Sequence, residues 1–182
     1  SNANFFFERN KKKKIYKKYK LPQGNIFEPL IKDYFLIISG VIFRKSIFET
    51  YGLFNENYNI IGDYDFLIKI SQFCQAHSID QPLLNYRVHD NNFSKLNSKM
   101  FHEEYRDWYI TNITDQKSSN FSEYKEIFKM KLNSLEISHL LINDKKDFNL
   151  INKILRHNHL FEKIKFLILF FTPKRFFKYL KK

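Results

Sequence analysis

Gly62-Asp63-Tyr64-Asp65-Phe66-Leu67-Ile68-Lys69-Ile70 is the stretch whose reading decides the rest. A glycine and two aspartates stand just ahead of an apolar run. Across 65–77, Phe66, Leu67, Ile70, Phe73 and Cys74 recur at helical spacing, which predicts a helix with one buried face. Its start supplies free N–H groups and the positive end of the helix dipole. Asp65 reads as the N-cap. Asp63 then projects from the preceding loop, where a carboxylate can accept a proton from a hydroxyl. Asp-x-Asp is also a metal-pair spelling, and the pair can equally serve only to cap the helix.

Upstream, 5–9 and 15–20 are β-prone segments around a lysine-rich turn, which predicts a hairpin. Leu21-Pro22-Gln23-Gly24 signals a turn, and Asn25 can cap a short helix over 26–33. Residues 34–44 are the most strand-like of the chain; Ser39-Gly40 within them permits close approach of another backbone or a ligand. A short helix over 45–51 ends at Gly52, and 53–62 reads as loop. Downstream, 83–88 is a strand and 89–97 a polar loop. In Tyr86-Arg87-Val88-His89, alternation puts Arg87 and His89 on one face. Such a pair can hold a diphosphate, or a metal through neutral imidazole; an Arg paired with an acid and a His bonded to backbone explain it as well.

No glycine follows Gly62, which suits a helical remainder. Phe101, Tyr105 and Trp108 mark one helix, Phe128, Leu132, Leu135 and Ile142 a second, Phe148, Ile151 and Leu155 a third. Leu160, Ile164, Leu167, Ile168 and Phe171 mark a fourth. Its uninterrupted apolar run, 166–171, is far too short to cross a bilayer. His139 sits on an apolar stripe and reads as a core histidine. His157 and His159 point to different faces and are not a ligand pair.

The 182 residues carry a net charge of +12, with 43% hydrophobic and 18% aromatic residues, so a sizeable core is available and whole-chain disorder is excluded. A lone cysteine, Cys74, excludes an intrachain disulfide and a cysteine-rich metal site, and fits a reducing compartment. The charge is uneven. Residues 1–20 hold eight Lys or Arg against one Glu, 153–182 nine against one, and 21–152 fourteen against seventeen acids. The basic ends suit phosphates or anionic lipid headgroups. Nucleic acid is not expected as a partner, because the acidic middle lacks a reader motif. In Lys174-Arg175-Phe176-Phe177, cations interleaved with aromatics suit the lipid–water boundary; a core helix with a solvated tail is the alternative.

Five short strings, in order, carry a resemblance. They are Leu21-Pro22-Gln23-Gly24-Asn25-Ile26-Phe27, Ser39-Gly40-Val41-Ile42-Phe43-Arg44-Lys45-Ser46, Tyr51-Gly52-Leu53-Phe54-Asn55-Glu56, the Gly62–Ile70 stretch quoted above, and Tyr86-Arg87-Val88-His89-Asp90-Asn91-Asn92-Phe93-Ser94. Together they resemble the C-terminal half of bacterial family 2 glycosyltransferases with the GT-A fold, over roughly residues 5–98. Residues 99–182 resemble only the variable helical extensions of such enzymes. The resemblance implies an α/β fold: a partial GT-A-type mixed sheet with flanking helices, followed by a helical C-terminal extension. The domains expected are a tag remnant at 1–3, an acceptor-side half at 4–98, and a helical extension with a basic amphipathic tail at 99–182.

The resemblance further implies an inverting transfer from a nucleotide-diphosphate sugar to a glycan or lipid-linked acceptor, in surface polysaccharide synthesis. Asp63 matches the family's catalytic base, with Gly62 where Glu is usual. Ser39, Gly40 and Asp65 match the acceptor side. Arg87 and His89 match the segment near the donor diphosphate and its divalent cation, Mg or Mn, with His89 the candidate ligand. The family's nucleotide-binding half is expected ahead of residue 5. This portion alone is therefore expected to bind no cation and to be inactive. The enzyme is expected in the cytoplasm, peripheral at the inner face of the plasma membrane, with Lys174, Arg175, Phe176 and Phe177 touching lipid. A membrane-docking module without catalysis is the alternative.

Overall fold

The structure is a computed structural model and describes residues 1–114, 121–143 and 145–173. It divides into two compact units, Ser1–Asn97 and Ser98–Lys182. The first is mixed α/β and the second is helical.

The first unit is built on a three-stranded mixed sheet, order β2-β1-β5. Strand β1 (Asn2–Phe7) pairs antiparallel with β2 (Lys12–Ile15) and parallel with β5 (Pro82–Val88). The hairpin is present, but its strands lie earlier than the lysine-rich stretch suggested. Glu8–Asn10 form a 3-10 turn and Lys11 takes a left-handed conformation, φ 53°. Residues 1–3, expected to lie outside the fold, belong to it. Ala3 is fully buried. The buried Asn2 side chain accepts from the Ala3 and Lys17 N–H groups and donates to the Lys17 carbonyl. Ordinary strand pairing recruits any residue of fitting size, whatever its origin.

Between β1 and β5 run α1 (Phe27–Lys32), α2 (Lys45–Tyr51) and α3 (Gly62–Ser71), and the two-residue strands β3 (Gly24–Asn25) and β4 (Gln75–Ala76), which pair with each other. Asn25 is not the cap expected of it: Ile26 holds the N-cap position, and Asn25, one residue earlier, accepts from the Phe27 N–H. Helix α2 stops at Gly52, whose φ of 83° suits glycine best. Helix α3 is the hub. Tyr64, Phe66, Leu67, Ile68 and Ile70 are all buried. The Phe66 ring stacks on Phe48 at 5.5 Å and meets Phe54 at 4.7 Å and Phe43 at 5.7 Å. Each fully buried aromatic contributes on the order of 1.5–3 kcal/mol.

Three expectations fail here. Residues 34–44 form no strand: the backbone turns on itself in a 3-10 turn at Ile38–Gly40. The Gly40 N–H bonds the Ile37 carbonyl, and Val41 that of Ile38. β-branched residues favour a strand only where a neighbour completes the ladder. Phe35 is buried while Ile42 is 98% exposed. Helix α3 begins at Gly62 and ends at Ser71, so Phe73 is 61% exposed, stacked on Tyr51, and Cys74 is half-buried. A short helix, α4 (Phe93–Leu96), forms in the expected loop.

In the second unit, α5 (Ser98–Tyr109) is followed by a π-turn at Ile110–Thr114, then α6 (Lys125–Ile142), α7 (Phe148–Leu155) and α8 (Leu160–Phe171). Trp108 meets Phe128 at 5.3 Å and Tyr105 at 5.7 Å. Ile137, Leu141, Leu150, Ile154 and Phe166 form a second cluster. Asp147 caps α7 by accepting from the Leu150 N–H at 2.7 Å. His157 is buried as a structural group. Its Nδ1 accepts from the His159 N–H, so its Nε2 proton faces Ser134 Oγ at 2.8 Å. His139 is only half-buried, against Ser98, Asn143 and the His102 ring. The buried face of α7 is Leu150 and Ile154, and the predicted stripe residues Phe148 and Leu155 point outward.

Gly40 packs tightly against β5. A Cβ built there lies 2.6 Å from Leu84 Cδ2 and 3.2 Å from the Ser1 carbonyl. Gly40→Ala is therefore expected to cost about 1–3 kcal/mol in urea denaturation, and Leu84→Val in the same chain should recover part of it. An unchanged midpoint for the alanine variant would show that the contact gives way freely.

Candidate functional site

Asp63 sits inside the first turn of α3, with Ile61 at the N-cap position. Asp65 lies one position further in than a first-turn capping residue, and its N–H already bonds the Ile61 carbonyl at 2.8 Å. Neither aspartate is the N-cap, and Asp63 does not project from the loop as expected. The helix starts earlier because the buried Ile61 and Tyr64 anchor the turn on both sides.

The Asp63 carboxylate is half-buried. Its Oδ1 accepts from the Tyr64 N–H at 2.7 Å. Burial raises its proton affinity above the ordinary carboxylate value of 3.8, partly offset by the Tyr64 N–H and by the nearby Tyr34 hydroxyl. The Tyr34 phenol is pushed far above its ordinary range, first by burial, then by the Asp63 charge. It stays protonated beside Asp63. The Tyr34 ring leans on Tyr64 at 5.2 Å, and the Tyr34 carbonyl accepts from the Tyr16 hydroxyl at 3.2 Å. Tyr16 in turn stacks on Phe5 of β1 at 4.8 Å. A chain of rings thus ties the sheet to the carboxylate. Sequence reasoning missed Tyr34 because it stands 29 positions before Asp63 in a stretch read as strand.

Gly62 owes nothing to crowding. A Cβ there meets the Asn55 carbonyl at 3.7 Å and Tyr58 Cβ at 4.0 Å, ordinary contacts. Packing at the Cβ does not require glycine at this place.

Arg87 goes elsewhere. It is exposed on the sheet face that carries its register partner Phe6 and, across β1, Lys13. With Asn85 these residues line an open groove of ≈ 340 Å³. Phe5 and Tyr86, adjacent to Phe6 and Arg87 in their strands, point to the opposite face, where the ring chain to Asp63 starts. The structure therefore does not join Arg87 to Asp63. His89 lies past the end of β5. Its N–H donates to Asn92 Oδ1 at 2.7 Å, while Asn92 Nδ2 donates to the Arg87 carbonyl at 3.2 Å. Asn92, unremarked in the sequence, thereby fixes the chain as it leaves the sheet.

Among the described residues, no three His, Cys, Asp or Glu side chains converge to hold a metal. His89 has no companion ligands among the described residues, and these do not by themselves fit a divalent-cation site. Ser39 is exposed, and Gly40 has a packing role, with the Ser1 amino group donating to its carbonyl at 2.7 Å. Lys174, Arg175, Phe176 and Phe177 lie outside the described residues.

A carboxylate whose proton is held more tightly in the folded than in the unfolded chain lowers stability as pH rises through that interval. At neutral pH the half-buried Asp63 charge therefore costs stability. Asp63→Asn keeps an acceptor for the Tyr64 N–H and removes the charge. Its melting temperature at pH 7 should exceed wild type by roughly 1–4 °C, and the gain should fade towards pH 4. Calorimetry showing a lower melting temperature at pH 7 counts against this account.

Compared with known proteins, the chain matches no family model, no curated protein and no solved structure.

Proposed function

We propose that the chain is the acceptor-side, catalytic-base portion of an inverting glycosyltransferase of the family 2, GT-A type. It would act with a nucleotide-sugar-binding half, on a glycan or glycolipid acceptor of surface polysaccharide synthesis. The observation that carries this reading is Asp63: half-open, at a helix start, bonded by the Tyr64 N–H, with raised proton affinity. In this reading it is a carboxylate tuned to accept a proton.

In this reading the acceptor hydroxyl gives its proton to Asp63 as its oxygen attacks C1 of the donor sugar. The new C1–O bond forms on the face opposite the departing nucleoside diphosphate, which takes the electron pair of the broken bond. The configuration at C1 inverts. Tyr34 orients the carboxylate and steadies its charge before transfer. Arg87 and Lys13 line a groove on the other sheet face, so in this reading they take no part in proton transfer. The reading puts the reaction on the cytoplasmic side, where nucleotide sugars are made.

In a chain that also carries a nucleotide-sugar-binding half, Asp63→Asn should lower turnover by about 10²–10⁴-fold with donor affinity unchanged. Tyr34→Phe removes the hydroxyl that holds the Asp63 proton affinity down, so the acid limb of kcat/KM should move to higher pH. Wild-type turnover by Asp63→Asn would refute the base assignment.

A further inference from the structure

Helix α8 presents two apolar faces. Phe166 is fully buried, and Leu167, Leu169 and Phe170 pack against the same cluster. Leu160, Phe161, Ile164, Ile168 and Phe171 are exposed, Phe161 at 78% and Phe171 at 71%. At about 100° per residue these five fall within an arc of roughly 100°, on the side away from Phe166. Lys163 and Lys165 flank this arc, one on each edge, in the same geometry. Lys165 is paired with Glu162 at 3.0 Å on the turn below. The stripe that marks the helix in the sequence is therefore mostly its outer face.

Charge names the occupant. Residues 153–182 hold nine Lys or Arg against one Glu. A second copy would bring the same positive charge to the face, whereas an anionic bilayer complements it. No helix among the described residues is long and apolar enough to cross a membrane, so the face would lie in the interface plane. We infer that the exposed face of α8 docks the protein on anionic phospholipid, with Phe161, Ile164, Ile168 and Phe171 entering the headgroup–acyl boundary. Lys163 stretches its stem along the apolar strip and keeps its ammonium group among the phosphates, while Lys165 stays paired with Glu162. This inference does not rest on the glycosyltransferase reading, and its test needs no turnover.

The test is flotation of the whole chain with vesicles of phosphatidylcholine alone or with phosphatidylglycerol at about one third, at low and high salt. Binding is expected only to the anionic vesicles and should weaken with salt. The triple variant Phe161→Ser, Ile164→Ser, Ile168→Ser removes three exposed side chains, so circular dichroism and melting should match wild type. Its partition should fall at least about tenfold. Equal partition by a folded triple variant overturns the inference. So does loss of binding only when Lys174 and Arg175 are neutralised, which would assign binding to charge alone. A vesicle-free dimer in sedimentation, abolished by the same variant, would show that a second copy covers the face. Should the triple variant misfold, Phe161→Trp gives a second measure: a blue-shifted emission with anionic vesicles supports docking, and an unchanged spectrum overturns it.

Discussion

Burial of the Phe66 ring among Phe43, Phe48 and Phe54 is the constraint on which the first unit turns. It fixes the rotation of α3 about its axis. With Tyr64, Leu67, Ile68 and Ile70 also buried, a ten-residue helix has almost no freedom to roll. Asp63 and Asp65 are left at the half-open end, while Lys69 reaches out to the Tyr51 carbonyl at 2.8 Å. The position of the carboxylate is thus a consequence of packing several residues away. That arrangement suits chemistry that depends on the placement of one oxygen atom.

The pairing of Asp63 with Tyr34 has a price in stability. Partial burial disfavours the ionised carboxylate. Folding tolerates such a group because the surrounding rings over-determine its place. Phe5, Tyr16, Tyr34 and Tyr64 form a continuous path from the sheet to the helix start. Local instability held in place by a rigid frame is a recurrent property of sites that act on protons.

The second unit shows why hydrophobic periodicity can mark a helix and still misassign its inner face. Helix α8 is apolar over most of its girth, so several stripes fit a helical period. The one chosen by Phe166 depends on the Ile137, Leu141, Leu150 and Ile154 cluster that receives it. The same happens in α7, where Leu150 and Ile154 face inward and Phe148 outward. Capping was more local. Asp147 bonds the Leu150 N–H within its own turn, and His159 accepts from the Glu162 N–H at 3.4 Å.

Features set by neighbours in the chain were therefore legible in advance. They include the hairpin, the helix closed by Gly52, the strand ending at Val88, and the helical second half. Their causes act within a few residues: backbone freedom at glycine, side-chain alternation, the reach of a short polar side chain. Features needing a distant partner were not. Residues 34–44 had the composition of a strand, yet they turn at Ile38–Gly40, with Phe35 buried and Ile42 exposed. Tyr34 acquired its meaning from Asp63, and Arg87 was parted from Asp63 by the two faces of one sheet. Composition determined that helices and a small mixed sheet would form; tertiary packing decided which way each side chain looked, because burial is shared between segments that no local pattern connects.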